Sequence, residues 1–262
     1  MKQAKKQEAL LEENRIVHGL WIGNKLSLLE QLTIKLLQSH GHEFHLWSYD
    51  SIEGVPEGTV LEDAEEILPR SSIFAYFGHP NPYIPNGGIG SLSHWSDQFQ
   101  IALLYKRGGI YIQLDVAVLE PLNFTKPFAF APLYWNGNLE RVEGISAFIM
   151  KAPKGHSFLL KTHETLSQSF HKETTSEMYW ESSMISIFTS IKDLIHNWEN
   201  LCIDGKSFLD LGGLSSSPYN EPHIIPEEIK MIHWSNATHN QTKDKPIPNS
   251  TYWQLLKQTN LI

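Results

Sequence analysis

Cysteine is nearly missing from these 262 residues: the single one, Cys202, excludes a disulfide framework and an all-cysteine metal site, and fits a reducing compartment. Long apolar runs are missing too; no stretch approaches the roughly 20 residues of a membrane span. Residues 1–14 are charged rather than apolar, which argues against a secretory signal. Charge itself is thin, at 19% of residues, and leans acidic: 21 Lys and Arg against 29 Asp and Glu leave a net −8. That balance excludes a general nucleic-acid binder, which would present a basic face to phosphates. There is no serine-hydrolase elbow, P-loop or Rossmann glycine fingerprint. The 13 histidines include neither a His-x-x-x-His pair nor the Cys/His spacing of a zinc site. These absences lead us to expect a cytoplasmic protein, with Lys2, Lys5 and Lys6 allowing at most marginal, peripheral contact with the inner face of a membrane. The apolar 41% and aromatic 11% are ample for a buried core and exclude a disordered chain.

The hydrophobic periods alternate along the chain. Residues 16–22 read as a buried strand, residues 28–37 carry leucines at helical spacing up to Gly41, and residues 43–49 alternate as a half-buried strand. Strand, helix and strand of this size make a βαβ unit, so a parallel α/β sheet is expected. A short helix is predicted over 61–68, stopping at Pro69. A Gly- and Pro-rich loop spans 79–91, and a helix from Ser93 carries Trp95, Phe99, Ala102, Leu103 and Lys106. Gly108 and Gly109 break that helix ahead of a strand over 110–116. Strands near 128–133 and 145–150, helices near 157–170 and 178–198, weak strands near 223–225 and 231–234, and a polar tail complete the pattern.

The chemistry concentrates between residues 96 and 116. Asp97 and Gln100, three apart on the predicted helix, share a face. Gln113 and Asp115, two apart on the predicted strand, point to one side. Asp115 falls at the strand's carboxyl end, where ligands gather in open α/β sheets. A carboxylate there suits Mg²⁺ or Mn²⁺, which take oxygen ligands and let a substrate diphosphate complete the shell. The plain alternative is that Asp115 caps a turn toward Pro121 and Asp97 decorates or caps its helix.

This segment resembles the glycosyltransferase family with a sugar-binding region and an Asp-x-Asp motif, found in capsular-polysaccharide and lipopolysaccharide synthesis and related to large clostridial toxin glucosyltransferases. The matching residues are Ser96, Asp97, Leu104, Tyr105, Gly108, Gly109, Tyr111, Asp115 and Val116. Residues 16–23 are similar to the family's opening strand and residues 45–47 to its second. Two positions depart: Gln100 stands where the family has arginine, and Gln113 where it has the first aspartate of the motif.

The resemblance implies a nucleotide-diphospho-sugar transferase (GT-A type) fold of class α/β, with a mixed, mainly parallel sheet flanked by helices. It implies one domain over 15–262 after an N-terminal extension of 1–14, with a donor half to about 125 and an acceptor half from 126. The implied reaction moves a hexosyl unit from a nucleotide sugar, a UDP-sugar first of all, to a saccharide or glycolipid acceptor, with retention and with Mn²⁺ or Mg²⁺. Asp97, Gln100 and Gln113 would contact the donor, and Asp115 would ligate the metal. His18, Leu20, Trp21 and Gly23 would line the nucleotide, Trp21 being equally readable as core. Met231 to Asn236 resembles a closing His-Trp element, which would bring His233, Trp234 and Asn236 to the diphosphate or metal; His233 reads as well as a packed strand residue. Tyr134, Trp135 and Asn136, with residues 145–148, would face the acceptor. His79 and His94 could border the acceptor cleft. Two alternatives stand beside this: a degenerate module that binds nucleotide sugars without turnover, and an effector that glycosylates a protein.

Overall fold

The computed structural model describes residues 9–81, 85–133, 144–180, 182–191, 208–210, 221–222, 224–234 and 243–262. After a 3₁₀ turn at Glu12–Asn14, strand β1 (Ile16–Leu20) leads into helix α1 (Leu28–Ser39). That helix starts on a capping box: Leu29 N–H donates to Ser27 Oγ, and Glu30 reaches back to accept from Ser27 N–H at 2.6 Å. Gly41, at φ 87°, turns the chain into β2 (Glu43–Ser48), which runs parallel to β1 with Ile16 opposite Glu43 and Leu20 opposite Trp47. The expected βαβ unit is therefore present.

Over 61–68 the expected helix is replaced by β3 (Val60–Asp63), parallel to β2, and a 3₁₀ turn at Ala64–Glu66. Too short to repay helix nucleation, the segment finds its backbone partners on the open edge of β2 instead, and the Asp63 carboxylate accepts from Glu65 N–H at 2.9 Å. Helix α2 (Ser93–Arg107) ends at Gly108, φ 72°, where an added Cβ would lie 2.6 Å from Lys154 N. Beyond it, β4 (Gly109–Ile112) lies parallel to β1, while β7 (Gly144–Ala152) pairs antiparallel with both β4 and β6 (Ala129–Leu133). The six strands take the order β3-β2-β1-β4-β7-β6, a mixed and mainly parallel sheet.

The expected strand over 110–116 divides in two. Between β4 and β5 (Val116–Val118) the chain turns at Leu114–Asp115 and changes sheet. There β5 joins β9 (Met231–His233) and β8 (Phe208–Asp210) in a second, three-stranded sheet. No strand occupies residues 224–225, and His223 lies outside the described residues. Helices α2, α3 (Ser157–Ser169) and α4 (Ser182–Ile191) pack together on one side over a core containing Trp47, Trp95, Phe99 and Leu159. On the other side α1 meets β5. The polar tail is in part a helix, α5 (Thr251–Gln258), which buries Tyr252 and Leu256 with Trp234 and Leu36. No helix of the described residues is long and apolar enough to cross a membrane.

Candidate functional site

The carboxyl end of β4 is where the two sheets part, and the turn that carries Asp115 is pinned from three directions. Gln113 N–H donates to Phe148 O of β7 at 2.8 Å, and Trp234 N–H, just after β9, donates to Asp115 O at 2.8 Å. From α1, Thr33 Oγ1 donates to Leu114 O at 2.9 Å and accepts from Val116 N–H at 3.3 Å. Backbone held this way presents the side chains of the turn with little freedom to move.

Its carboxylate meets His233. Asp115 Oδ2 lies 3.6 Å from His233 Nε2, and the two side chains are 14% and 13% exposed. The imidazole is stacked on Phe148, with ring centroids 4.7 Å apart and planes 18° from parallel. The sequence alone offered no sign that a phenylalanine of β7 would support this histidine. One carboxylate oxygen and one imidazole nitrogen, both within reach of solvent, form a donor pair that fits Mn²⁺ or Mg²⁺ provided phosphate oxygens supply the rest of the shell. Among the described residues no group of three or more His, Cys, Asp or Glu could hold a metal alone. Asn236 lies outside the described residues, as do Tyr134, Trp135 and Asn136.

Asp97 and Gln100 sit together on α2, but buried, at 4% and 0% exposure. Ser183 of α4 donates its hydroxyl to Asp97 Oδ2 at 2.5 Å. Burial pushes the Asp97 carboxyl up to about 7, and the Ser183 bond pulls it back toward the charged form. Neither amide atom of Gln100 has a hydrogen-bond partner among the described residues. The Tyr111 phenol is driven well above its ordinary value, first by burial and then by the neighbouring Asp97. Ser183 was not legible beforehand, because a serine at a helix start reads as an ordinary cap.

The residues expected to line a nucleotide divide. Trp21 and Gly23 follow β1 at the same end of the sheet as Gln113. Trp21 is half-buried, donates Nε1–H to Lys25 O at 3.1 Å and has Lys243 Nζ 5.4 Å from its ring centre. Gly23 adopts φ 147°, closed to most side chains. Leu20 packs against the core below. His18 is deeper, opposite Tyr111 in the β1–β4 register and buried, its Nδ1 accepting from Trp47 Nε1–H at 3.2 Å. Burial, His45 and Arg107 hold it down to about 3, so it stays neutral as a core histidine. Trp234 is wholly buried and edge-on to Tyr252. His40 and His42 act structurally. His40 Nε2 meets Val118 O at 3.1 Å, while buried His42 joins Asn14 O to Leu122 N–H. His94 is buried with Nε2 at 2.8 Å from Tyr179 O, and exposed His79 stacks on Tyr179.

Residues 64–130 match the family model described as "Glycosyltransferase sugar-binding region containing DXD motif". No curated protein matches the sequence. Of solved structures, the chain is similar to PaToxG glycosyltransferase at 12% identity and TM-score 0.48, with 70% of each chain covered. It is similar to a transferase at 11% identity and TM-score 0.41, covering 72% of this chain and 88% of that one. It is also similar to the ligand-free glycosyltransferase domain of the YGT toxin at 9% identity and TM-score 0.39, covering 94% and 78%. The segment that matches this family model contains α2, β4 and the Asp115 turn.

Proposed function

We propose that the chain, as one catalytic domain over 15–262 with a GT-A type fold, transfers a hexosyl unit from a nucleotide sugar, most readily a UDP-sugar, to a saccharide or glycolipid acceptor with retention. The observation that carries this reading is the Asp115–His233 pair at 3.6 Å, beyond the carboxyl end of β4 and inside a turn fixed by α1, β7 and the end of β9. Asp115 and His233 would hold Mn²⁺ or Mg²⁺, which when bound supplies Lewis-acid neutralisation of a departing diphosphate. Asp97 accepts hydrogen bonds from sugar hydroxyls, Gln113 adds neutral contacts beside the turn, and Trp21 with Gly23 borders the base. The work of these residues is orientation of the anomeric carbon and exclusion of water. We place the protein in the cytoplasm, with membrane contact no more than peripheral.

Gln100 favours a second reading, a module that binds nucleotide sugars without turnover, because its enclosed amide has no partner among the described residues and offers the donor no charge. Nucleotide release from a panel of UDP-sugars, with and without Mn²⁺, separates the two. Turnover that needs the cation and disappears in Asp115→Ala supports the enzyme; tight donor binding with no release supports the module. Transfer to protein rather than glycan in an acceptor screen would move the acceptor class to polypeptide.

A further inference from the structure

Asp97 is a buried carboxylate with an unusual escort. It is 4% exposed, its hydrogen-bond donor on α4 is the Ser183 hydroxyl, itself 1% exposed, and one turn along α2 stands the neutral amide of Gln100. Buried carboxylates normally lean on a cation or on several donors. Among the described residues the influences on its ionisation are burial and the Ser183 hydroxyl. Groups nearby do not take over the task. From β4 comes the Tyr111 phenol, which burial keeps neutral. On α2, His94 is committed at Nε2 to Tyr179 O.

We propose that Ser183 is the positioning residue for the sugar contact: its hydroxyl occupies Asp97 Oδ2, aims Oδ1 at the donor sugar and holds the carboxylate in its charged, accepting form. The proposal rests on the reading of Asp97 as a sugar contact and deepens it, since it makes donor binding depend on how α4 is seated against α2. A charged acceptor bonds a sugar hydroxyl about twice as strongly as a neutral one, so loss of the Ser183 bond weakens the site most where Asp97 is close to protonation.

The test compares wild type, Ser183→Ala and Ser183→Thr by two measurements. The first is the pH profile of kcat/KM for UDP release from UDP-glucose, UDP-galactose and UDP-N-acetylglucosamine with Mn²⁺. The second is the titration of the Asp97 carboxyl by ¹³C NMR, which needs no turnover. In Ser183→Ala both the acid limb and the Asp97 midpoint are expected to move to higher pH by about one unit, a roughly tenfold loss on that limb, with activity recovering at alkaline pH. Ser183→Thr, which keeps the hydroxyl, should restore both. An Asp97 midpoint that does not move in a folded Ser183→Ala overturns the proposal, as does a loss equal at every pH. If wild type releases no UDP while the Asp97 midpoint shifts as stated, the glycosyltransferase reading fails and the Ser183–Asp97 coupling stands.

Discussion

Single side chains at this site trade stability for chemistry. Asp97 keeps a proton in the folded protein up to about pH 7, whereas an unfolded aspartate releases it near 3.8. The raised value means that stability is undiminished below the unfolded pKa and is lost as pH rises through the folded one. Above pH 7 the cost is about 4 kcal/mol at 1.36 kcal/mol per unit. Asp97→Asn should therefore unfold at a higher temperature than wild type at pH 8 and at the same temperature at pH 3.5, as calorimetry would read. Gln100 is the second case: a buried amide with neither atom partnered costs about 1–3 kcal/mol per group. Gln100→Leu, which removes both groups at similar volume, should raise the urea midpoint and leave the slope unchanged. A lower midpoint would show that the amide is satisfied in solution.

At the scale of elements, helix α1 braces the Asp115 turn. Thr33 of α1 is buried and bonds both Leu114 O and Val116 N–H across the place where the chain changes sheet. Thr33→Val keeps the shape and leaves both backbone groups unpaired. The expected result is a loss of about 2 kcal/mol and a weaker dependence of turnover on Mn²⁺. If stability falls while the apparent Mn²⁺ affinity holds, α1 does not position Asp115. The α2–β4 junction is stricter. Gly108 has φ 72°, and a Cβ there would approach Lys154 N to 2.6 Å, so Gly108→Ala should cost more than about 1 kcal/mol in urea unfolding.

For the whole molecule, buried histidines and Asp97 pull the response to acid in opposite directions. His18, His40, His42 and His163 are all held below the ordinary histidine value, in each case chiefly by burial. A depressed histidine pKa means that the unfolded chain takes up protons which the folded one refuses, so the stability these histidines contribute falls as pH drops below about 6.5, opposite in sign to the Asp97 contribution. His18 sits lowest, at about 3, and accepts its bond from Trp47 through Nδ1. His18→Asn keeps an acceptor near that position without the charge and should flatten the fall in thermal midpoint between pH 6.5 and 4. Much of this architecture was legible in the order of residues. The βαβ start, the α2 stripe through Trp95 and Phe99 and the Gly108–Gly109 break all follow from local rules of period, backbone freedom and spacing. What local pattern could not determine was every feature whose partner is far along the chain. Residues 60–63 became a strand because β2 had an open edge, and the strand after Gly109 split because β9 stood ready to pair with Val116–Val118. The polar tail coiled into α5 because Trp234 needed cover. Ser183, 86 residues from Asp97, became its donor only once α4 packed on α2. Sequence by itself determined the opening βαβ unit, the α2 stripe and the break at Gly108–Gly109; tertiary packing decided the remaining strands and every long-range partner, because burial and hydrogen-bond demand are properties of neighbours in space.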